Sequence, residues 1–316
     1  MRKFDILNLQ KMYAMSFMQS KDPHQPIASH KASSAQTLTS LLSEKLLLTK
    51  WKRSGYDPTM NFIRDLLGDL EMVYVGQMCL SWEVLYWQYE KSLELWDSDH
   101  LGLCQYNEVA GEFQRFQVLL QRFMENEPFE GPRVENYVRK RCIMRDLLQV
   151  PLIRDDKVKD KKGRRKWKDK DAITGDMLVE IIEESIRIFW RFVRADKDVH
   201  HVVQKGRKGT QIEPQDPSEL ELLAEVRTSL QKKEKKLKDI LRCGNCIVRK
   251  FRRHEEDSSD QVLFFFSQVD MKLVSRVLNM SKITSDQLLW CHHKLGKINF
   301  VSRKIHVEPS FLLFPC

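Results

Sequence analysis

The sequence predicts an all-α protein: a multi-helix bundle of eight or nine helices around a shared core, with a solvated basic loop between helices. Three observations carry this. First, Asn61 to Trp96 runs without a proline, and apolar residues recur at Ile63, Leu67, Leu70, Tyr74, Met78, Trp82, Leu85, Tyr89, Leu93 and Trp96. Steps of three and four are the period of a helix and not of a strand, and such a helix would be about 50 Å long. Second, Leu66, Val73, Leu80, Val84 and Trp87 add another stripe, leaving Asp65, Glu83, Glu90 and Glu94 on a narrow acidic strip. A helix apolar over most of its circumference must be surrounded by others. Third, only 12 Gly and 10 Pro occur in 316 residues, against 7 Trp and 16 Phe. Few turn formers disfavour a β-rich class, and so many aromatics disfavour disorder.

The elements follow in order. Phe4 to Met18 reads as a first helix with Ile6, Leu9, Tyr13 and Phe17 on one face, and Leu41 to Trp51 as a second after a polar loop. Gly55-Tyr56-Asp57-Pro58 turns the chain into the long helix. Tyr106 to Met124 is helical, with Val109, Phe113, Phe116, Leu120 and Phe123 inward. Gly131-Pro132 restarts a basic helix to about Leu148, since proline suits the first helical position, and Val150-Pro151 ends it. Ile153 to Ala172 has no apolar period and reads as solvated. Thr174 caps a helix through about Asp196, with Leu178, Ile181, Ile182, Ile186, Phe189 and Val193 inward. Asp216-Pro217-Ser218-Glu219 is a strong helix start, and that helix is expected to reach as far as His254. Ser258 to Gln261 opens an apolar helix through Met280, and Thr284 to Gln287 is a capping box for a last one. Phe300 to His306 is left as a short strand or an extended tail.

Charge divides the chain into an acidic, aromatic half (1–150), a basic linker (151–173) and a basic half (174–316) expected to pack on the first as one composite domain. Gly55 to Glu130 holds four Lys/Arg against fourteen Asp/Glu, whereas Arg227 to His254 holds eleven against two. Such polarity speaks about partners rather than fold. The opposed blocks either meet within the molecule or a dimer, or offer the basic part to an anionic partner. The seven cysteines are irregularly spaced and no secretory leader is visible, which points to free thiols and an intracellular place, cytoplasmic or nuclear. No stretch reads as a membrane span, and Cys316 is too near the end for prenylation.

Three motifs could carry chemistry. Asp97-x-Asp99-x-Leu101-Gly102, ending at Glu108, has the outline of a calcium loop. Leu101 lacks the side-chain oxygen wanted at position 5 and Cys104 replaces the usual branched residue, so an ordinary interhelical turn is the better reading. Cys243-Gly244-Asn245-Cys246 has metal-ligand spacing, but His254, Cys291, His292 and His293 do not form a matching second pair, so no zinc is expected. The run from Lys157 to Lys170 holds nine Lys/Arg, Lys161, Lys162, Arg164, Arg165, Lys166 and Lys168 among them, with Trp167 in their midst. It is open to three readings: a charged loop that stays in water, a nuclear import signal, or a nucleic-acid contact in which lysines meet phosphates and the indole stacks on a base. No nucleotide-binding, zinc-protease or nucleophile-elbow template occurs. No catalytic residue, cofactor or metal is therefore expected, and a helical enzyme ranks third.

Tyr106 to Phe123, Glu127-Pro128-Phe129-Glu130-Gly131-Pro132-Arg133, and the stretch from Val269 through Arg276-Val277-Leu278 to Leu313-Phe314-Pro315-Cys316 resemble a plant-specific family described as a domain of unknown function. Some members carry a large-subunit ribosomal-protein label. The resemblance spans nearly the whole chain. It implies a land-plant source and carries over no activity, cofactor or site residue. Members are often longer at the N-terminus, sometimes with a hydrophobic segment that this chain is expected to lack. The ribosomal label suits an acidic, Trp-rich first half poorly.

Together these features point to a non-catalytic interaction or scaffold protein with a protein partner. The alternative is an RNA- or ribosome-associated binder using the basic loop and the basic helix near Lys232 to Lys238.

Overall fold

The computed structural model describes residues 4–11, 58–99, 105–154, 172–196, 217–243, 258–301, 304–308 and 312–315. Within them the chain is all-α, with eight helices and one short hairpin. In chain order the helices are α1 (4–11), α2 (Pro58–Ser98), α3 (Asn107–Glu130), α4 (Arg133–Ile143), α5 (Gly175–Ala195), α6 (Pro217–Cys243), α7 (Ser258–Leu278) and α8 (Ser285–Gly296).

The central rod is α2. Every residue from Val73 to Cys79 is buried, as a helix apolar on several faces requires. It packs against α4, α5 and α7. α5 also lies against α3 and α7, and α6 packs on α7 and α8. Of the residues of α5 that the spacing placed inward, Leu178, Ile182, Ile186, Phe189 and Val193 are buried, while Ile181 is half-buried at the edge of the core. Trp82 is the hub of the core. It stacks on Phe189 at 5.5 Å between ring centroids and meets the edge of Phe266 at 5.4 Å. Such ring pairs add about 0.5–1.5 kcal/mol each beyond area burial.

Several expectations need correction. Glu83, placed on the narrow acidic strip, is fully buried. Trp96 and Trp87, placed on the apolar stripes, are exposed. On α1 the buried residues are Phe4 and Asn8, while Ile6 and Leu9 face out. α3 continues through Pro128 to Glu130. A proline near the last turn forfeits one hydrogen bond, and Glu127 and Glu130 at that end are held by ion pairs to Arg133 and Arg139 of α4. Gly131, at φ 84°, closes the helix in the left-handed region that favours glycine. α4 stops at Ile143, five residues short of the expected end, because Leu147 and Leu148 turn into the core and Leu148 takes φ 61°. Ile153 is buried rather than solvated.

The capping box at Thr284 and Gln287 forms as expected. The C-terminal stretch is an antiparallel hairpin, β1 (Ile298–Val301) with β2 (Lys304–Val307), Phe300 facing Ile305 across it. The second predicted helix, Leu41 to Trp51, and the continuation of α6 toward His254 lie outside the described residues.

Candidate functional site

α2 carries polar residues on faces that its neighbours bury, and each reaches a specific partner. Ser81 Oγ and Gln77 Nε2 donate to the carbonyl of Leu148. Gln88 Oε1 accepts from the Ile153 amide, and Lys91 Nζ donates to the Ile153 carbonyl at 2.9 Å. Positions 77, 81, 88 and 91 share one helical face. They fasten the non-helical stretch 148–153 along α2 and satisfy backbone groups that no helix or sheet satisfies there.

A second group is ionic. Lys294 of α8 is almost wholly buried and pairs with Glu83 of α2 and, at 3.3 Å, with Asp270 of α7. Trp82 Nε1 donates to Asp270 Oδ1 at 2.7 Å, and the Leu312 amide donates to Glu83 Oε2 at 3.3 Å. Burial, reinforced by the Asp270 charge and opposed by Lys294, pushes the Glu83 carboxyl up to about 7. Burial works to lower the Lys294 ammonium, but Asp270 and Glu83 more than offset it and hold it above its ordinary value. Cys79 and Cys291 lie beside this cluster, and burial pushes both thiols up, away from the reactive thiolate.

A longer ionic chain crosses the bundle. Arg133 makes two bonds to Glu127, at 2.5 and 2.6 Å, and donates to the Phe192 carbonyl at 2.7 Å while lying 4.6 Å from the Phe192 ring centroid. Its far side reaches Tyr74, whose hydroxyl donates to Asp196 at 3.2 Å. Asp196 pairs with Arg276 at 3.3 Å, and Arg276 pairs with Glu71 at 2.8 Å. Glu71 finally accepts from the Ser281 amide at 2.9 Å. Burying ions this way is costly unless every charge is paired and hydrogen-bonded. Here each bond runs to another protein group, so the arrangement orients helices.

Most of the residues singled out in the sequence lie outside the described residues, and those that are described do not converge. Lys161, Lys162, Arg164, Arg165, Lys166, Trp167 and Lys168 lie outside the described residues. Of the basic helix, Lys232, Lys235, Lys236 and Lys238 are exposed on α6, while Lys233 donates to the Ile298 carbonyl. Lys236 Nζ stands 5.9 Å from the Phe300 ring centroid. Cys291 is buried, His292 pairs with Glu225 at 3.5 Å and His293 is exposed, so these neighbours do not converge. Cys246 and His254 fall outside the described residues, as do positions 100–104 of the calcium-like loop. Asp99 continues the helical turn of α2 by donating to the Leu95 carbonyl at 3.0 Å. Among the described residues no group of three or more His, Cys, Asp or Glu could hold a metal ion, and no helix is long and apolar enough to cross a membrane. A surface depression of about 370 Å³ is lined by Gln231, Glu234, Lys235, Lys238 and Asp239, all on α6.

Sequence reasoning missed the buried ions. Their signal is a single charge inside an apolar run: Glu71 beside Leu70 and Met72, Glu83 between Trp82 and Val84, Asp270 between Val269 and Met271.

A family model described as "Protein of unknown function (DUF1666)" matches residues 68–315. Neither the curated proteins nor the solved structures contain a match to the chain.

Proposed function

The chain belongs to the DUF1666 family, proteins of unknown function, and from that premise we propose that it is a non-catalytic helical interaction or scaffold protein. One observation supports this above the others: among the described residues, the buried charged side chains Glu71, Glu83, Arg133, Asp196, Asp270, Arg276 and Lys294 are engaged with each other and with backbone groups. A catalytic site needs polar groups converging on a space where substrate can enter. Glu83, Asp270 and Lys294 converge on one another instead. Outward, the helices present large apolar side chains, with Phe129 88% and Ile143 72% exposed at the ends of α3 and α4. Positions like these supply anchors for a partner helix. An intracellular place of work, cytoplasmic or nuclear, and a land-plant source go with this reading. Proximity labelling or co-purification from plant tissue, with and without nuclease, tests it. A reproducible, nuclease-resistant protein partner is the expected result, and repeated recovery of none would refute it.

A second reading, an RNA- or ribosome-associated binder, draws on the exposed lysines of α6. Among the described residues no ion pair holds Lys232, Lys235, Lys236 or Lys238. Phosphate contacts predict affinity that falls steeply with salt. Gel shifts with single-stranded RNA at low salt decide it, and an unshifted band rejects it.

A further inference from the structure

We propose that the cleft between α2 and α8 is a binding site for an extended, aromatic-bearing peptide, occupied in this structure by the chain's own residues 312–315. The site is separate from the exposed surfaces considered above and stands on its own observations.

Leu312 is gripped through its main chain from both sides. Its amide donates to Glu83 Oε2 at 3.3 Å, and its carbonyl accepts from Trp290 Nε1 at 3.0 Å. The next side chain, Leu313, faces solvent, and the one after, Phe314, is buried. That alternation is the mark of an extended segment. Phe314 stands edge-on to Trp290, 5.2 Å between centroids and 80° between planes. It lies at the edge of the space over Gly76, which Phe4 of α1 fills more closely: a Cβ added there would lie 2.3 Å from Phe4 Cζ and 3.3 Å from Phe314 Cδ1, so Phe4 forms one wall of the seat.

Backbone grips with a pocket for alternate side chains are how proteins read extended peptides when the main chain gives affinity and the pockets give selectivity. Here the grips are side chains of two helices rather than a sheet edge. The elements that form the seat are anchored independently of its occupant. Glu83 is fixed by Lys294, and α8 by its capping box and its packing on α6 and α7. The ligand class is an extended peptide of the pattern Leu-x-Phe, read through the backbone at the leucine and the ring two residues on. A segment tethered to its own seat competes at an effective concentration of roughly millimolar. An external peptide therefore binds the unaltered chain weakly.

The test uses the full chain carrying Phe314→Ala and a fluorescein-labelled peptide, Pro-Ser-Phe-Leu-Leu-Phe-Pro, copied from positions 309–315. Fluorescence anisotropy is expected to show binding at least about tenfold tighter to the Phe314→Ala chain than to the unaltered one, as relief from tethered competition requires. Adding Trp290→Phe, which deletes only the indole donor and part of the ring, should weaken that binding, and a peptide with alanine for its second phenylalanine should fail to compete. Equal or absent binding to a Phe314→Ala chain that keeps its helical circular dichroism overturns the proposal. Should Phe314→Ala not fold, the same peptide in excess over the unaltered chain is expected to speed hydrogen exchange at the Leu312 amide, and an unchanged rate overturns it equally.

Discussion

Glu83 is a carboxylate with no exposure to water, one cation against it and a second carboxylate close by. Its folded pKa of about 7 lies above its ordinary 4.5. Between those values the unfolded chain gives up a proton that the folded chain keeps. The group's contribution to stability is therefore complete below about pH 4.5 and is lost as pH rises through about 7. Chemical-denaturant curves from pH 5 to pH 8 should show stability falling across that range, by at most about 1.4 kcal/mol per pH unit for one proton. Glu83→Gln should flatten the fall, and an unchanged slope in that variant would assign it to another group. Gly76 makes a different residue-scale point. An added Cβ would lie 2.3 Å from Phe4 Cζ and 2.6 Å from Phe4 Cε1, besides touching Phe314. Gly76→Ala should therefore destabilise: an overpacked core costs about 1–3 kcal/mol and outweighs the roughly 1 kcal/mol that alanine gains in a helix. Loss of the melting temperature, with helicity retained, is the expected readout.

At the scale of elements, Gly111 is the counterpart. It lies inside α3, and a Cβ there would meet nothing within 4 Å. Gly111→Ala should stabilise the protein by about 0.5–1 kcal/mol, because only backbone entropy changes. A urea midpoint that moved down instead would show that α3 contributes contacts beyond those described. The cap on α8 gives a prediction of opposite sign: Thr284→Ala removes the acceptor used by the Gln287 amide and should cost about 1 kcal/mol, measured in the same titration. Helices of this kind were legible in the sequence because their causes are local. The period of α2, the one-faced spacing of α5 and the box at Thr284 lie within a few residues of the structure they produce. Where an element is decided by something distant, the signal is missing. α4 stops at Ile143 because Leu148 is received by Ser81 and Gln77, more than sixty positions away. Nothing in residues 133–148 announces that.

For the whole molecule, the chain of ions from Glu127 through Arg133, Asp196 and Arg276 to Glu71 joins α2, α3, α4 and α7 with the C-terminal end of α5. Arg276→Met, which keeps most of the volume but removes the cation bridging two buried carboxylates, should cost about 3–5 kcal/mol. Adding Glu71→Gln and Asp196→Asn should recover much of that loss, since the penalty belongs to the unpaired charges. If the triple variant were no more stable than the single one, packing by the arginine stem would be the better account. This network was hidden from the sequence for a physical reason. Spacing tells which face of a helix a charge is on, but not which other helix will bring the opposite charge to it. Glu83 could be placed on an acidic strip but not in the core, because Lys294, which pairs with it, and Asp270, which shares that lysine, lie about two hundred positions on. The lysines of α6 could be read as exposed from sequence alone, since nothing distant claims most of them.

The same ionic chain bears on how the bundle assembles. If α7 slid along α2 by one turn, about 5.4 Å, the guanidinium of Arg276 would leave both Glu71 and Asp196, the two buried carboxylates it bridges. Greasy side chains tolerate such a slip far better, because one methyl group is much like the next. A core of oil alone would distinguish such near-misses weakly, whereas here a slip separates buried charges from their counter-ions, so the ionic chain adds a penalty for misaligned helices that packing by itself would not.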